Sequence, residues 1–333
     1  VRRLALFALP ALAAFVAHVM IGGSVWVAPA EMARVLLAGP GADGRFDQIV
    51  WSLRLPRACA CVLIGAILGG VGASFQALFR NPLADPFVLG VSSGAAVGGT
   101  LAFALGVGMA WFGLGGVACS FLGGTGSLLL VLALARRSGA ISVPTLLLAG
   151  VVVGSMLSSV MTLVLLTSGE DTNRVLRWLL GSMTPMYWNR VAMLAFALLG
   201  LGALIAWSRA LNVMAVDEGA AERLGVDPAR LRFRVLAIGT AMTSVAVGTV
   251  GIIGFVGLVS PHIARRMAGA DLRLSIPGAA FVGASLLPLA DLLAQRLLPG
   301  SELPVGAVAA VLGAPALLLL LRARRLATPG DVR

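Results

Sequence analysis

The stretch RVLAIGTAMTSVAVGTVGIIGFVGLVSPHIARRM, residues 234–267, decides how the chain is threaded. No charged residue interrupts it between Arg234 and Arg265. It is long enough for one long helix plus a loop, or for two short helices broken at Gly251 and Gly254. Working outward, apolar runs between charged or Pro/Gly-rich breaks predict helices near 4–25, 52–78, 88–108, 112–135, 144–167, 188–208, 275–297 and 304–321. Two helices at 235–251 and 252–268 bring the number to ten. A membrane-spanning helix needs about 20 apolar residues, and arginine in short loops marks the cytoplasmic side. With ten spans, Arg2, Arg3, Arg136, Arg137, Arg223, Arg230, Arg232, Arg234, Arg265, Arg266, Arg322, Arg324 and Arg325 all fall on that side, so the broken version is adopted and both termini are cytoplasmic. Asp43, Asp47, Glu170, Asp171 and Glu302 then lie outside, together with Arg54, Arg57, Arg174 and Arg177, which run against the trend and need a reason.

Composition agrees with a membrane solvent. The 333 residues are 59% hydrophobic and 12% charged, with mean hydropathy +0.98, far from the roughly 25% charged residues of a soluble domain. The fold class expected is an all-α integral membrane protein, one transmembrane domain over 1–333, with little chain outside the membrane. Apolar residues from Leu4 to Ile21 follow Arg2 and Arg3 in the manner of a signal peptide, but with many spans behind them an uncleaved first helix is expected. The net charge of +11 comes from arginine alone, since the chain has no lysine; these arginines sit in short loops, so nucleic acid is not expected as a partner. A phosphate-cradling P-loop needs a lysine after its glycines, so the chain cannot hydrolyse ATP that way, and any energy it uses comes from a partner or an ion gradient. Cys59, Cys61 and Cys119 lie in apolar stretches without paired spacing to histidine and are read as small core residues, with no metal and no cofactor expected. The 42 glycines let helix backbones approach closely or leave room for a path.

Phe87-Val88-Leu89-Gly90-Val91-Ser92 echoes Phe255-Val256-Gly257-Leu258-Val259-Ser260, and the topology runs the two segments in opposite directions. That is an inverted repeat of the kind transporters use, or chance in Gly/Val-rich helices. The largest cytoplasmic loop, 209–234, contains a short amphipathic helix: Asp217 and Glu218 stand where a helix dipole favours acids, Ala221, Leu224 and Val226 are apolar, Glu222 and Arg223 are charged, and Gly225 stops it. A rigid helix between two spans can transmit force; a solvated connector is the bland alternative.

A family resemblance rests on Leu53-Arg54-Leu55-Pro56-Arg57; Arg80-Asn81-Pro82-Leu83-Ala84-Asp85-Pro86 with Leu89-Gly90-Val91-Ser92-Ser93-Gly94-Ala95; Leu147-Leu148-Ala149-Gly150; Trp178-Leu179-Leu180-Gly181-Ser182; Gly254-Phe255-Val256-Gly257-Leu258-Val259 with Pro261-His262; and Glu302-Leu303-Pro304-Val305-Gly306 with Leu312-Gly313-Ala314-Pro315. From about Val50 to Leu321 the chain resembles the FecCD-type permeases of bacterial ATP-binding-cassette (ABC) importers for ferric siderophores, haem and cobalamin. The resemblance implies a homodimer in the inner membrane with the substrate path between its subunits. It also implies two ATPase subunits on the cytoplasmic face and a periplasmic or lipid-anchored substrate-binding protein. It makes the segment from Asp217 to Asp227 the ATPase-coupling helix. It makes Arg54 and Arg57 docking contacts for acids of the binding protein, with membrane headgroups as the alternative partner of both. The family's third basic position lies four residues after the aspartate matched by Asp291; Gln295 occupies it here and Arg296 follows, one residue or about 100° around the helix. The siderophore is the first expectation for cargo, being the commonest in the family.

Gly150, Gly154 and Ser158 recur every four residues, with Met161 and Thr162 continuing the face. The pattern allows close helix contact, and the resemblance places it on the translocation path, with Ser142, Val143, Pro144 and Thr145 at a cytoplasmic gate. Asp291 lies inside an apolar helix, where a charge costs about 2.5–3.5 kcal/mol on insertion scales. A structural pairing near Arg296 or backbone groups is preferred over a proton relay. His262, beside Pro261, is read as a packing residue, and His18 has no evident partner. A proton-coupled secondary transporter is the alternative class, but it lacks a visible relay. A membrane enzyme lacks any nucleophile–base or metal-ligand constellation.

Overall fold

The computed structural model describes residues 2–23, 25–41, 44, 46–87, 89–108, 110–136, 143–167, 172–298 and 300–326. Among these it is helical throughout, without a strand. The helices are α1 (Arg2–Ile21), α2 (Pro29–Ala38), α3 (Leu55–Leu78, entered through a π-helical turn Ile49–Arg54), α4 (Val91–Ala104), α5 (Ala110–Ala135), α6 (Val143–Thr167) and α7 (Thr172–Leu179). They continue as α8 (Trp188–Ala206), α9 (Ser208–Val216), α10 (Glu218–Arg223), α11 (Pro228–Val250), α12 (Val256–Ala268), α13 (Leu272–Arg296) and α14 (Val305–Leu326). Six helical stretches are long and apolar enough to cross a membrane: Ile49–Leu78, Gly113–Ala135, Val143–Thr167, Trp188–Ala206, Pro228–Val250 and Leu272–Arg296. Ala5–Ile21, Val91–Ala104 and Val305–Leu320 are shorter apolar helices.

The deciding stretch is two helices broken, as expected, at Gly251 and Gly254, though α11 starts earlier and α12 later than the predicted bounds. α11 begins at Pro228 because Asp227 accepts the Arg230 N–H and proline favours the first helical position; Arg230, Arg232 and Arg234 thus belong to a helix and not to the loop. It ends at Gly251, whose φ is +81°. Residues 251–255 are non-helical, and α12 starts only at Val256. The non-helical backbone is held by main-chain bonds, Ser182 N–H to Val250 O at 2.8 Å and Ile252 N–H to Leu179 O at 3.2 Å. Non-helical chain at membrane depth survives where protein covers it. With 13 residues, α12 is about 20 Å long, short of the roughly 30 Å hydrocarbon layer. The echoing hexapeptides both lead into helices, yet the left-handed N-cap residues are Gly90 and Phe255, three positions apart in the alignment.

At the centre α3 and α13 run antiparallel with their backbones in contact. A Cβ on Gly65 would meet the Gly283 carbonyl oxygen at 2.1 Å, and one on Gly69 the Ala279 oxygen at 2.1 Å. The same close approach joins α4 to α5 at Gly98 and Cys119. α6 is different: much of its surface, including Val151, Val152, Met156 and Leu163, is exposed.

Candidate functional site

One end of α3 carries a buried polar network. Asp291 of α13 is 1% exposed. Arg57, in the first turn of α3, forks onto it through Nε at 2.8 Å and Nη2 at 3.0 Å. Gln295 donates at 2.7 Å, and His18 Nε2 lies 2.7 Å from the same Oδ2. Arg57 Nη1 also reaches Glu302 at 3.0 Å and Thr184 at 3.0 Å. Asp291 thus has the structural pairing expected, but with Arg57 and not Arg296, and His18 gains the partner that could not be named. Both histidine and aspartate are costly in an apolar span, and both lie near the same end of their helices; that was the available signal.

His18, Cys61 and Asp291 bring one donor atom each within 4.8 Å of one another. A cation there would need the carboxylate that Arg57 already neutralises with two charge-assisted bonds, so the trio reads as an ion-pair core and not a metal centre.

The other two arginines expected at the surface serve α1. Arg54 is 5% exposed and donates to the carbonyls of Val19 (3.1 Å), Met20 (3.2 Å) and Val25. Arg296 donates to the Ile21 carbonyl. The last carbonyls of a helix lack partners within it and form its negative pole, so both side chains cap α1. This corrects the surface placement of Arg54: its side chain is internal because the end of α1 consumes its donors. Arg296 remains exposed. Beside them opens a cavity of about 220 Å³ lined by His18, Arg54, Arg57, Met183, Thr184 and Glu302 among others. The four arginines that broke the charge rule are now accounted for in part: Arg54 and Arg57 have internal hydrogen-bond partners, while Arg174 and Arg177 lie on α7, whose Val175, Trp178 and Leu179 turn inward.

The opposite end of α3 meets the segment expected to couple. Asp217 accepts the N–H groups of Gly219 (3.2 Å) and Ala220 (2.9 Å), an N-cap that starts α10. Ala221 is buried and anchors it; Glu222, Arg223 and Leu224 are exposed; Gly225, at φ +81°, ends it. Helix α9, which sequence reasoning did not separate from the loop, is fixed to α13 by Asn212, which donates to Asp271 at 2.8 Å and accepts the Leu272 N–H at 3.0 Å. Hydrogen bonds from Arg273, then from Asn212, hold the Asp271 carboxyl well below the usual range. In the turn after α3, Asp85 accepts the Phe87 N–H at 2.9 Å; burial pushes its carboxyl up to about 6 against that bond. His262 lies 3.3 Å from its own helix's Leu258 carbonyl and 3.4 Å from Arg265, which donates to Gln76 at 2.6 Å.

The small-residue face of α6 divides. Gly150 and Gly154 lie against Gly90 at the start of α4, where a Cβ on Gly90 would meet Gly150 O at 3.1 Å. Met161 is half-buried against the Trp178 cluster, whereas Ser158 and Thr162 are exposed, their hydroxyls bonded to their own helix. Of the expected gate, Val143 and Thr145 are half-buried and Pro144 exposed. Ser142 lies outside the described residues, as do Asp43, Val88, Arg137, Glu170 and Asp171.

The model of the FecCD transport family matches residues 10–323. The vitamin B12 import system permease protein BtuC of Escherichia coli O9:H4 (strain HS) is 39% identical over 316 residues, covering 92% of this chain and 91% of its own. An uncharacterized ABC transporter permease, YvrB of Bacillus subtilis (strain 168), is 39% identical over 284 residues, 84% of this chain and 80% of its own. Among solved structures, a transporter assigned to the metal-chelate type of ABC transporter, in an inward-facing conformation, aligns with TM-score 0.83 and 29% identity over 96% of this chain and 98% of its own.

Proposed function

Because the chain belongs to the FecCD transport family of ABC-importer permeases, we propose that it forms the path for a metal chelate, cobalamin first, across the inner membrane. The observation that carries the cargo is the 39% identity to a vitamin B12 permease over 92% of the chain. A ferric siderophore, expected first from family frequency, is the second reading, favoured by the metal-chelate structural relative. In this reading α1, α3, α4, α5, α6, α8, α11, α12, α13 and α14 form the ten-span permease, with both termini cytoplasmic. Two copies enclose the path along the exposed face of α6, Ser158 and Thr162 lining it and residues 142–145 closing it at the cytoplasmic side. Two ATPase subunits press on α10 through Glu222, Arg223 and Leu224. The binding protein docks at the Asp291 end, where Arg296 is the exposed cation of the expected three and Arg54 and Arg57 line the cavity beside it.

A proton-coupled transporter gains one point, the His18–Asp291 contact, but both oxygens of that carboxylate already accept hydrogen bonds from Arg57. Reconstitution in proteoliposomes with ATPase and binding protein tests both. Uptake of cobalamin that requires ATP hydrolysis is expected. Selective uptake of a ferric siderophore replaces the cargo only; uptake driven by a proton gradient without ATPase overturns the class.

A further inference from the structure

The motif from Arg80 to Pro86 is used by neither docking nor path, and it begins where α3 ends. Arg80 has φ +49°, a left-handed conformation uncommon for a residue with a side chain. Its guanidinium donates to the Met214 carbonyl near the end of α9 and stands 3.7 Å from Glu218 Oε1, in the first turn of α10. From the other side Arg232 of α11 donates to the same Oε1 at 2.8 Å. Glu218's side chain is 40% exposed but that of Arg232 only 8%, so this bond is shielded from water and salt in a way that surface pairs are not. The coupling segment is therefore tied at one carboxylate to the ends of two spans, with α9 tied to α13 at Asn212. Helices α3 and α13 in turn touch backbone to backbone.

We propose that Glu218 is a positioning residue: gripped by Arg80 and Arg232, it joins α9–α10 and the ends of α3 and α11 into one lever, so that a push on α10 moves those spans directly. The proposal rests on α10 being the ATPase seat, and the test separates the two. The complete complex in proteoliposomes is assayed for ATPase recovered with the permease, ATP hydrolysed, and cargo taken up per ATP, using cobalamin or a ferric siderophore, whichever wild type takes up. Arg232→Gln is expected to keep ATPase recovery and to lower uptake per ATP about fivefold, with Arg80→Gln acting less strongly because its pair is longer and more exposed. Glu218→Gln, which removes the charge that both arginines grip, is expected to lower uptake per ATP at least as far with ATPase recovery again intact, an uncoupling that a merely structural role for the pair would not produce. Glu222→Arg with Arg223→Glu is expected to lose the ATPase itself; unchanged recovery there refutes the seat. Wild-type uptake per ATP in Arg232→Gln, with recovery intact, overturns the lever. Should Arg232→Gln not accumulate, Arg232→Lys keeps the charge but loses the planar reach. Hydrogen exchange over 217–226 must then quicken, and unchanged exchange overturns the lever equally.

Discussion

At Asp85 the carboxyl is 4% exposed in the turn following α3, and its titration is pushed up to about 6 by burial. A group whose folded value lies above its unfolded one favours folding while protonated, and that contribution fades as pH rises through the folded value. Asp85→Asn keeps the acceptor for the Phe87 N–H and removes the buried charge. It should stabilise the purified protein by on the order of 3 kcal/mol at pH 8 and about half that at pH 5. Melting temperatures at the two pH values check this; equal gains, or none, would show that Asp85 is not held near-neutral by burial. Asp291 is the contrast, a buried acid with a guanidinium forked onto it, so its charge is matched where that of Asp85 is only solvated by one N–H. Asp291 was recognisable in the sequence as a charge in an apolar run. Its partners were not, because His18 and Arg57 lie hundreds of residues away and meet it only when α1, α3 and α13 pack.

For elements, the contact between α3 and α13 depends on the absence of side chains where the backbones touch. Gly69→Val would drive its Cβ to within 2.1 Å of the Ala279 carbonyl oxygen, which neither helix backbone can relieve without separating. Little monodisperse protein is expected on gel filtration. Gly202→Ala in α8, where a Cβ meets nothing within 4 Å, should yield and melt like wild type; if Gly69→Val did so too, the packing described here would be wrong. The helical periods of the long apolar helices were legible, and so was the stop at Gly225. Helices α2, α7 and α9 were not separated, since their amphipathic patterns are short and lie among loops. The start of α12 was placed early because Gly251–Phe255 is as apolar as a helix. Its non-helical form goes with bonds from 250 and 252 to residues 179–182, which no local pattern encodes.

Across the whole molecule, α3 is about 36 Å long, with 24 residues, and it joins the Asp291 network at one end to the α10 segment at the other. The outer face of α6 remains without cover in the single chain. A second copy seated there predicts disulfide cross-linking in membranes for cysteines placed singly at Ser155 or Ser159, beside the path-lining Ser158 and Thr162, in a protein lacking Cys59, Cys61 and Cys119. At least one of the two should cross-link, because a twofold interface brings equivalent residues near the axis together and a disulfide needs Cα atoms within about 7 Å. Cross-linking at neither would remove this face of α6 from the subunit contact.

Hydropathy, the arginine-only positive charge and the ordered motifs determined by themselves that this is a helical membrane protein of the permease family, because solvent preference and short-range motifs are written along the chain. The tertiary structure alone decided what the charged residues do. Arg54 and Arg296 cap α1, Arg57 and His18 meet at Asp291, and Arg80 and Arg232 share Glu218. A charge inside a bundle takes whichever partner the packing of distant helices brings within about 3 Å, and distance through space has no signature in distance along the sequence.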